Sequence, residues 1–318
     1  MISENTVLIL GAGASKPYGY PTALELREEI INRFLPLFKK FARENNKDSD
    51  FDNHPYTKKV SQIIESFKKS STSSIDLFLS RNKSFYVNGK EIITFLLANY
   101  EIESKFREDL KDRKYDWYFY LYNILTKDIT TPDNISKFIE NKISIITFNY
   151  DRSFEHFIYE SLYNSFISKR DEINNIMNNL KIIHVYGKLA PLPWENGGGL
   201  DYRSNKIKDY FEDNSKNLII IYEERQAVRE EITKIITEAK NIYFLGFGYA
   251  EENLEAIGLN KMVFRTEQRI YGTAMGLMEM EIAKNVSVLR KNSLGMIVEK
   301  FQLENCDSLT LLRNNLVY

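Results

Sequence analysis

The sequence predicts an α/β protein, a Rossmann-like doubly wound parallel sheet with a large helical insertion after its first strand-helix unit. Three observations carry this. Consecutive apolar residues without polar alternation, first at Val7-Leu8-Ile9-Leu10, suit strands covered on both faces. Such runs are mostly separated by helical or irregular stretches, as a parallel sheet with crossovers requires. Four of them end in small or polar residues, at the carboxyl ends of strands where open α/β sheets bind ligands.

The first strand covers residues 6–10 and runs into Gly11-Ala12-Gly13-Ala14-Ser15. Gly11 is placed for a tight turn, and Gly13 lets a ligand approach the main chain. Residues 16–21 hold too much proline and glycine for a long helix. Thr22-Ala23-Leu24-Glu25 then has capping-box spacing, and Leu24, Leu26, Ile30, Ile31, Phe34 and Leu35 form an apolar stripe as far as Pro36.

From there to residue 141 the chain is rich in Lys, Glu, Asn and Ser, with aromatic and aliphatic stripes at helical spacing. Val60, Ile63, Ile64 and Phe67 share one face, as do Trp117, Leu121, Ile124 and Leu125. Residues 37–141 are accordingly expected to be a helical insertion module, with 1–36 and 142–318 forming the core domain. Within the insertion, 84–89 reads as a short hairpin arm and 68–74 as a mobile polar loop. Asp76 reads as a first-turn carboxylate facing a helix dipole.

The sheet resumes over 143–148 and runs into Asn149-Tyr150-Asp151. Further strands are expected at 181–186, 218–222, 242–245 and 269–272. Helical or irregular stretches at 152–179 and 223–239 separate them, and closing helices are expected at 275–289 and 307–313.

Forty-three basic residues against 44 acidic ones give a formal charge of -1, without long runs of one sign. That balance argues against a nucleic-acid groove or an anionic membrane surface as partner. No segment approaches the ~20 apolar residues of a membrane span, and the first residues lack signal-peptide character, so a cytoplasmic protein is expected. The single cysteine, Cys306, excludes an intramolecular disulfide and a zinc site built from several thiolates.

The four strand ends that converge are Gly11 to Ser15, Asn149 to Asp151, His184 to Lys188 and Gly246 to Gly248. A dehydrogenase fingerprint would place a third glycine at Lys16 and an acidic residue at the end of a nearby second strand. Neither is present, nor is a Gly-Lys-Ser/Thr phosphate loop.

Together these motifs resemble the sirtuin-like superfamily, specifically the bacterial sirtuin-like domains of anti-phage defence systems. The likeness rests on Gly11-Ala12-Gly13-Ala14-Ser15 with Gly19-Tyr20-Pro21-Thr22, on Asn149-Tyr150-Asp151, on His184-Val185-Tyr186-Gly187 and on Gly246-Phe247-Gly248-Tyr249. Ser74-Ile75-Asp76 and the Ala190 to Trp194 run look like shorter family features. In the commonest family pattern the histidine directly precedes the glycine, whereas here Tyr186 holds that place. Either His184 or Tyr186 therefore occupies the base position, His184 facing the same side of the strand from two residues back.

The resemblance implies NAD as substrate, with no metal. Sirtuin deacylases hold acyl-peptide with a four-cysteine zinc domain, which one cysteine cannot build, so NAD hydrolysis is favoured over deacylation. Asn149 suits the nicotinamide ribose and the attacking water, and His184 suits a base. Gly11, Ala12, Gly13 and Ser15 would cradle the diphosphate, with Pro21, Thr22 and Asp151 bordering the pocket and Gly246, Gly248, Gly272 and Thr273 the adenosine half. The family also suggests a homo-oligomer and a partner defence protein such as a HerA-type ATPase or other activator. A non-catalytic NAD or ADP-ribose sensor is the alternative from another functional class.

Overall fold

A computed structural model describes residues 1–45, 51–104, 106, 115–204, 207, 210, 214–221, 223, 226–259, 264–291 and 300–318. Six strands form one all-parallel sheet: β1 (Thr6–Leu10), β2 (Ile143–Thr147), β3 (Lys181–His184), β4 (Asn241–Leu245), β5 (Arg269–Thr273) and β6 (Lys300–Glu304). Their order across the sheet is β3-β2-β1-β4-β5-β6, the doubly wound arrangement. All five residues of β1 and of β4 are buried, as the unbroken apolar runs require of central strands. The edge strand β3 is exposed at Lys181 and only half-buried at Ile182 and His184.

Thr6 of β1 pairs in register with Ile143 on one side and Asn241 on the other. The chain winds outward from β1 through β2 to β3, then crosses back to β4. The winding direction therefore reverses between β1 and β4, the point at which open α/β sheets bind ligands outside their strand ends.

The turns after these two strands lie against each other. Gly11 N–H donates to Leu245 O (2.9 Å) and Gly13 N–H to Gly246 O (3.0 Å). A Cβ on Gly11 would sit 2.5 Å from Gly246 O and 2.7 Å from Phe247 Cα, so backbone meets backbone only because position 11 has no side chain. Gly246 itself adopts φ +55°.

The helical segment between β1 and β2 has its own stripes, but its buried face joins the same continuous apolar core as the sheet. Val60, Phe67, Phe95 and Trp117 are fully buried there together with Leu8 and Ile9. Among the described residues no helix is long and apolar enough to cross a membrane.

Several elements differ from expectation. Residues 84–89 are no hairpin: a short 3-10 turn (Lys83–Phe85) leads directly into the helix Tyr86–Glu103. Gly89 is there for close packing, since a Cβ would lie 2.4 Å from a Leu79 methyl. Pro36 does not end the first helix but sits in the first turn of a second one, Phe34–Glu44, where its missing N–H costs nothing. The helix Pro55–Lys69 takes up the start of the polar 68–74 stretch. Residues 218–221 are buried at Leu218, Ile220 and Ile221 but join no ladder, Ile219 N–H donating instead to Tyr186 O (2.9 Å); Tyr222 lies outside the described residues. The edge strand β6 escapes sequence reading because Phe301-Gln302-Leu303-Glu304 is a short alternation in which Phe301 is the one strong strand former.

Gly11→Ala is expected to cost about 1–3 kcal/mol of stability through this backbone overlap. Gly248→Ala, where a Cβ meets nothing within 4 Å, should be near neutral. Urea unfolding of the two variants checks the contrast.

Candidate functional site

The strand ends place the four motifs around one edge of the sheet. Asn149 follows β2 and is 9% exposed. Its Nδ2 donates to Gly11 O (3.0 Å) and to Ser15 Oγ (3.0 Å), and its N–H to Thr147 Oγ1 (3.1 Å). A carbonyl oxygen only accepts, so the amide nitrogen must face Gly11. The Oδ1 atom is turned the other way, with no hydrogen-bond partner among the described residues.

Ser15 lies on the single helical turn Ala12–Ser15, whose Ala12 and Gly13 are half-exposed. Asp151, buried, accepts from the N–H (3.1 Å) and hydroxyl of Ser153, which opens the helix Ser153–Ser165. Burial raises the Asp151 pKa, and the hydroxyls of Ser153 and Ser15 oppose that rise. Tyr118 OH lies 2.8 Å from Ser153 Oγ, and Trp117 Nε1 donates to Ala14 O (2.9 Å). One helix from the segment between β1 and β2 thus braces both motifs. Ser15, Asn149, Asp151 and Glu155 help line an internal cavity with room for about one water molecule.

His184 closes β3 with both ring nitrogens engaged. Nδ1 lies 3.0 Å from Asn149 O and Nε2 2.9 Å from Glu155 Oε1. Burial pushes the Glu155 carboxyl pKa up, but the charge and hydrogen bond of His184 and the nearby Lys188 outweigh it, holding the group at about 2. A carbonyl and a carboxylate both accept, so each ring nitrogen faces an acceptor supplied by the protein itself. In this arrangement both ring nitrogens are occupied within the protein. Tyr186 packs edge-on to Phe148 (5.5 Å) and donates to Asn253 Oδ1 (2.9 Å).

The remaining expected residues fall into two groups. Thr22 is committed to its helix: Oγ1 accepts from Glu25 N–H (3.4 Å), and Glu25 Oε2 accepts from Thr22 N–H (2.9 Å), with Pro21 half-exposed just before it. Thr273 Oγ1 accepts from Gly246 N–H (2.8 Å). A Cβ on Gly272 would lie 2.2 Å from the Tyr249 phenol oxygen, so that glycine serves packing. Gly248 is different: it is exposed, with open space around it and ordinary φ, so its main chain is approachable. Ala12, Gly13 and Gly246, all half-exposed, and exposed Gly248 belong to the two turns that pack together after β1 and β4. Of the other histidines, His54 Nδ1 caps the helix Pro55–Lys69, and His156 stacks on Tyr202 with ring centroids 3.9 Å apart.

Sequence reasoning missed the charges beneath the site. Arg152 and Glu101, both fully buried, meet through two hydrogen bonds of 2.9 and 2.7 Å. Arg152 also donates to Pro191 O (2.8 Å), Leu200 O (2.8 Å) and Asp201 O (3.0 Å), holding the 190–201 loop in place. An arginine directly after Asn149-Tyr150-Asp151 and a glutamate three residues further on were visible signals, but nothing local links them to Glu101 or His184. Among the described residues no group of three or more His, Cys, Asp or Glu side chains is placed to hold a metal ion.

The fold and site thus define a Rossmann-like α/β protein with a polar cluster at the carboxyl ends of β1, β2 and β3, next to its topological switch point. No family model matches the chain, and no curated protein matches it. Across nearly its whole length it is distantly similar in structure to Sir2 proteins. One is Sir2 in complex with an inhibitor, 2'-O-acetyl-ADP-ribose and a deacetylated p53 peptide, at 14% identity and TM-score 0.38, covering 97% of this chain and 91% of that one. Another is Sir2Tm bound to a propionylated peptide, at 14% identity and TM-score 0.39, covering 97% and 90%.

His156 is held well below its ordinary value of 6.5, to about 3, first by burial and then by Arg152 and Arg203. A depressed histidine pKa means that the unfolded chain binds the proton and the folded chain refuses it. The stability involved is complete above about pH 6.5 and is lost as pH falls towards 3. His156→Phe, which keeps a ring against Tyr202, should flatten the decline over that window by about one proton's worth of slope in chemical-denaturation series. Separately, Glu101→Leu and Arg152→Met should each cost about 3–5 kcal/mol, and the double variant less than either, because a lone buried charge is worse than none.

Proposed function

We propose that the chain hydrolyses NAD at the bond between nicotinamide and ribose, giving nicotinamide and ADP-ribose, and acts as an NAD-depleting effector in anti-phage defence. The observation that carries this is the anchoring of Asn149: Gly11 O and Ser15 Oγ hold its amide nitrogen, leaving Oδ1 as an oriented acceptor beside the glycine turn. An acceptor so fixed suits a ribose hydroxyl or the attacking water. Half-exposed Ala12 and exposed Gly248, in the turns after β1 and β4, offer main chain that a diphosphate could approach.

In the reaction the C1'–N bond breaks, its electron pair leaves with neutral nicotinamide, and water oxygen bonds to C1' and gives up a proton. The sugar passes through an oxocarbenium-like state. No strong acid is required; a held ribose and a placed water do most of the work. His184, bound at both nitrogens, holds the Asn149 carbonyl in this reading, and serves as base only once it leaves Glu155. Pro21, Thr22, Asp151, Gly246, Gly272 and Thr273 act as supports for the pocket, and the proposed setting is a cytoplasmic homo-oligomer activated by a partner defence protein.

A second reading, an NAD or ADP-ribose sensor without turnover, is favoured by one observation: both ring nitrogens of His184 are occupied, Nδ1 by Asn149 O and Nε2 by Glu155 Oε1. Nicotinamide release by the purified protein, together with NAD levels in expressing cells, separates the two. Asn149→Ala is expected to lower release by at least about 100-fold, comparable to losing an oriented transition-state contact. Circular dichroism should show the fold retained. Undiminished turnover in that variant would remove the proposed site, and a binding isotherm with intact NAD would select the sensor.

A further inference from the structure

Asp76 stands outside the motifs that the proposed reaction uses, yet it reaches the centre of them. It lies in the helix Ile75–Arg81, in the segment between β1 and β2, where Ser74 Oγ accepts from Leu77 N–H (3.2 Å) to cap the helix. Ile75, Phe78 and Leu79 are buried, so this helix is anchored in the core and cannot drift. As a first-turn carboxylate Asp76 faces the helix dipole, but its oxygen does more than that. It accepts the phenol proton of Tyr150, the residue between Asn149 and Asp151.

Tyr150 OH also lies 3.1 Å from Ile219 O. One phenol proton cannot serve both acceptors fully, and the carboxylate is the stronger one. Burial raises the pKa of both groups, and the donated bond opposes the rise at Asp76, which keeps the proton on Tyr150. The three-residue loop is then held at every position. Gly11 and Ser15 hold the side chain at 149, Asp76 the one at 150 and Ser153 the one at 151. His184 and the Leu189 N–H (2.8 Å) hold the carbonyls at 149 and 150. Of these contacts, only the one at 150 reaches into the helical segment.

We propose that Asp76 is a positioning residue for Asn149, acting through the Tyr150 phenol, so that the helical segment between the first two strands sets the geometry of the site. The inference rests on the reading of Asn149 as the ribose-facing acceptor. It requires an acceptor at position 76, not a charge, so Asp76→Asn should preserve what Asp76→Ala removes.

The test compares Asp76→Ala, Asp76→Asn, Tyr150→Phe and the double variant Asp76→Ala/Tyr150→Phe in the full chain. Nicotinamide release is followed as kcat and KM, and amide hydrogen exchange is followed over 147–152 and over β4. Asp76→Ala and Tyr150→Phe are each expected to lower kcat by about 10- to 100-fold with KM changed less than about threefold, as a displaced contact group does. The double variant should be no slower than either single one, and Asp76→Asn should recover most of the rate. Exchange over 147–152 should rise equally in Asp76→Ala and Tyr150→Phe, stay near wild type in Asp76→Asn, and remain unchanged in β4. Wild-type kcat in Asp76→Ala, multiplying losses in the double variant, or Asp76→Asn falling as far as Asp76→Ala would each overturn the proposal. If the wild-type protein binds NAD without turnover, the hydrolase reading fails, and exchange alone decides: unchanged exchange in Asp76→Ala and Tyr150→Phe overturns the role of Asp76.

Discussion

The site depends on how closely the main chain after β1 approaches the main chain after β4. Amides at Gly11 and Gly13 donate across to Leu245 and Gly246, and the carbonyl of Gly11 is left to receive Asn149 from the other side. That approach has no room for a Cβ at position 11, nor at 246, where one would lie 2.0 Å from Ala14 N. Two central parallel strands are thereby locked together at their carboxyl ends, where the winding reverses. The same hydrogen bonds use up amides that a free turn would offer to a ligand, so the approachable main chain is displaced to Ala12 and Gly248.

Around this junction, polar groups are arranged in layers. Asn149 leans on Ser15, the Ser15 hydroxyl opposes the burial of Asp151, and Asp151 is held by Ser153, which meets Tyr118. Such chains are stable only when each member is satisfied, and here the members come from three separated stretches of chain. Beneath them the Arg152–Glu101 pair is desolvated on both sides, and its stabilising value lies less in Coulomb attraction than in the carbonyls it gathers from the 190–201 loop. The His184–Glu155 pair is a smaller version, tying β3 to the helix after Asp151.

The helical segment between the first two strands is structurally part of this assembly. Trp117 and Tyr118 contact the β1 turn and the Ser153 hydroxyl, and Asp76 contacts Tyr150. Its apolar stripes bury against the same core as the sheet, so its packing and the geometry of the site are set together.

Much of this was legible beforehand. Unbroken apolar runs identify β1 and β4, and a run interrupted by Ser144 identifies β2, because a strand covered on both faces needs apolar side chains in both directions. The polar residues at their ends identify the edge where a site forms. Local spacing also reveals the Thr22–Glu25 capping box, since its partners are one turn apart. The hairpin expected at 84–89 and the strand at 218–222 went astray because a glycine or a short apolar run has the same local signature in a turn, a helix contact or a buried coil.

By itself, then, the sequence determined the doubly wound α/β class, the strands β1 to β5 and the polar residues at their ends, which follow from periodicity and composition, but neither β6 nor the strand order. Only the tertiary structure decided which of those residues are spent on one another. His184 meeting Glu155, Arg152 meeting Glu101 and Tyr150 meeting Asp76 join positions 29, 51 and 74 residues apart. Contacts at such separations are set by how whole elements pack, and no local pattern encodes them.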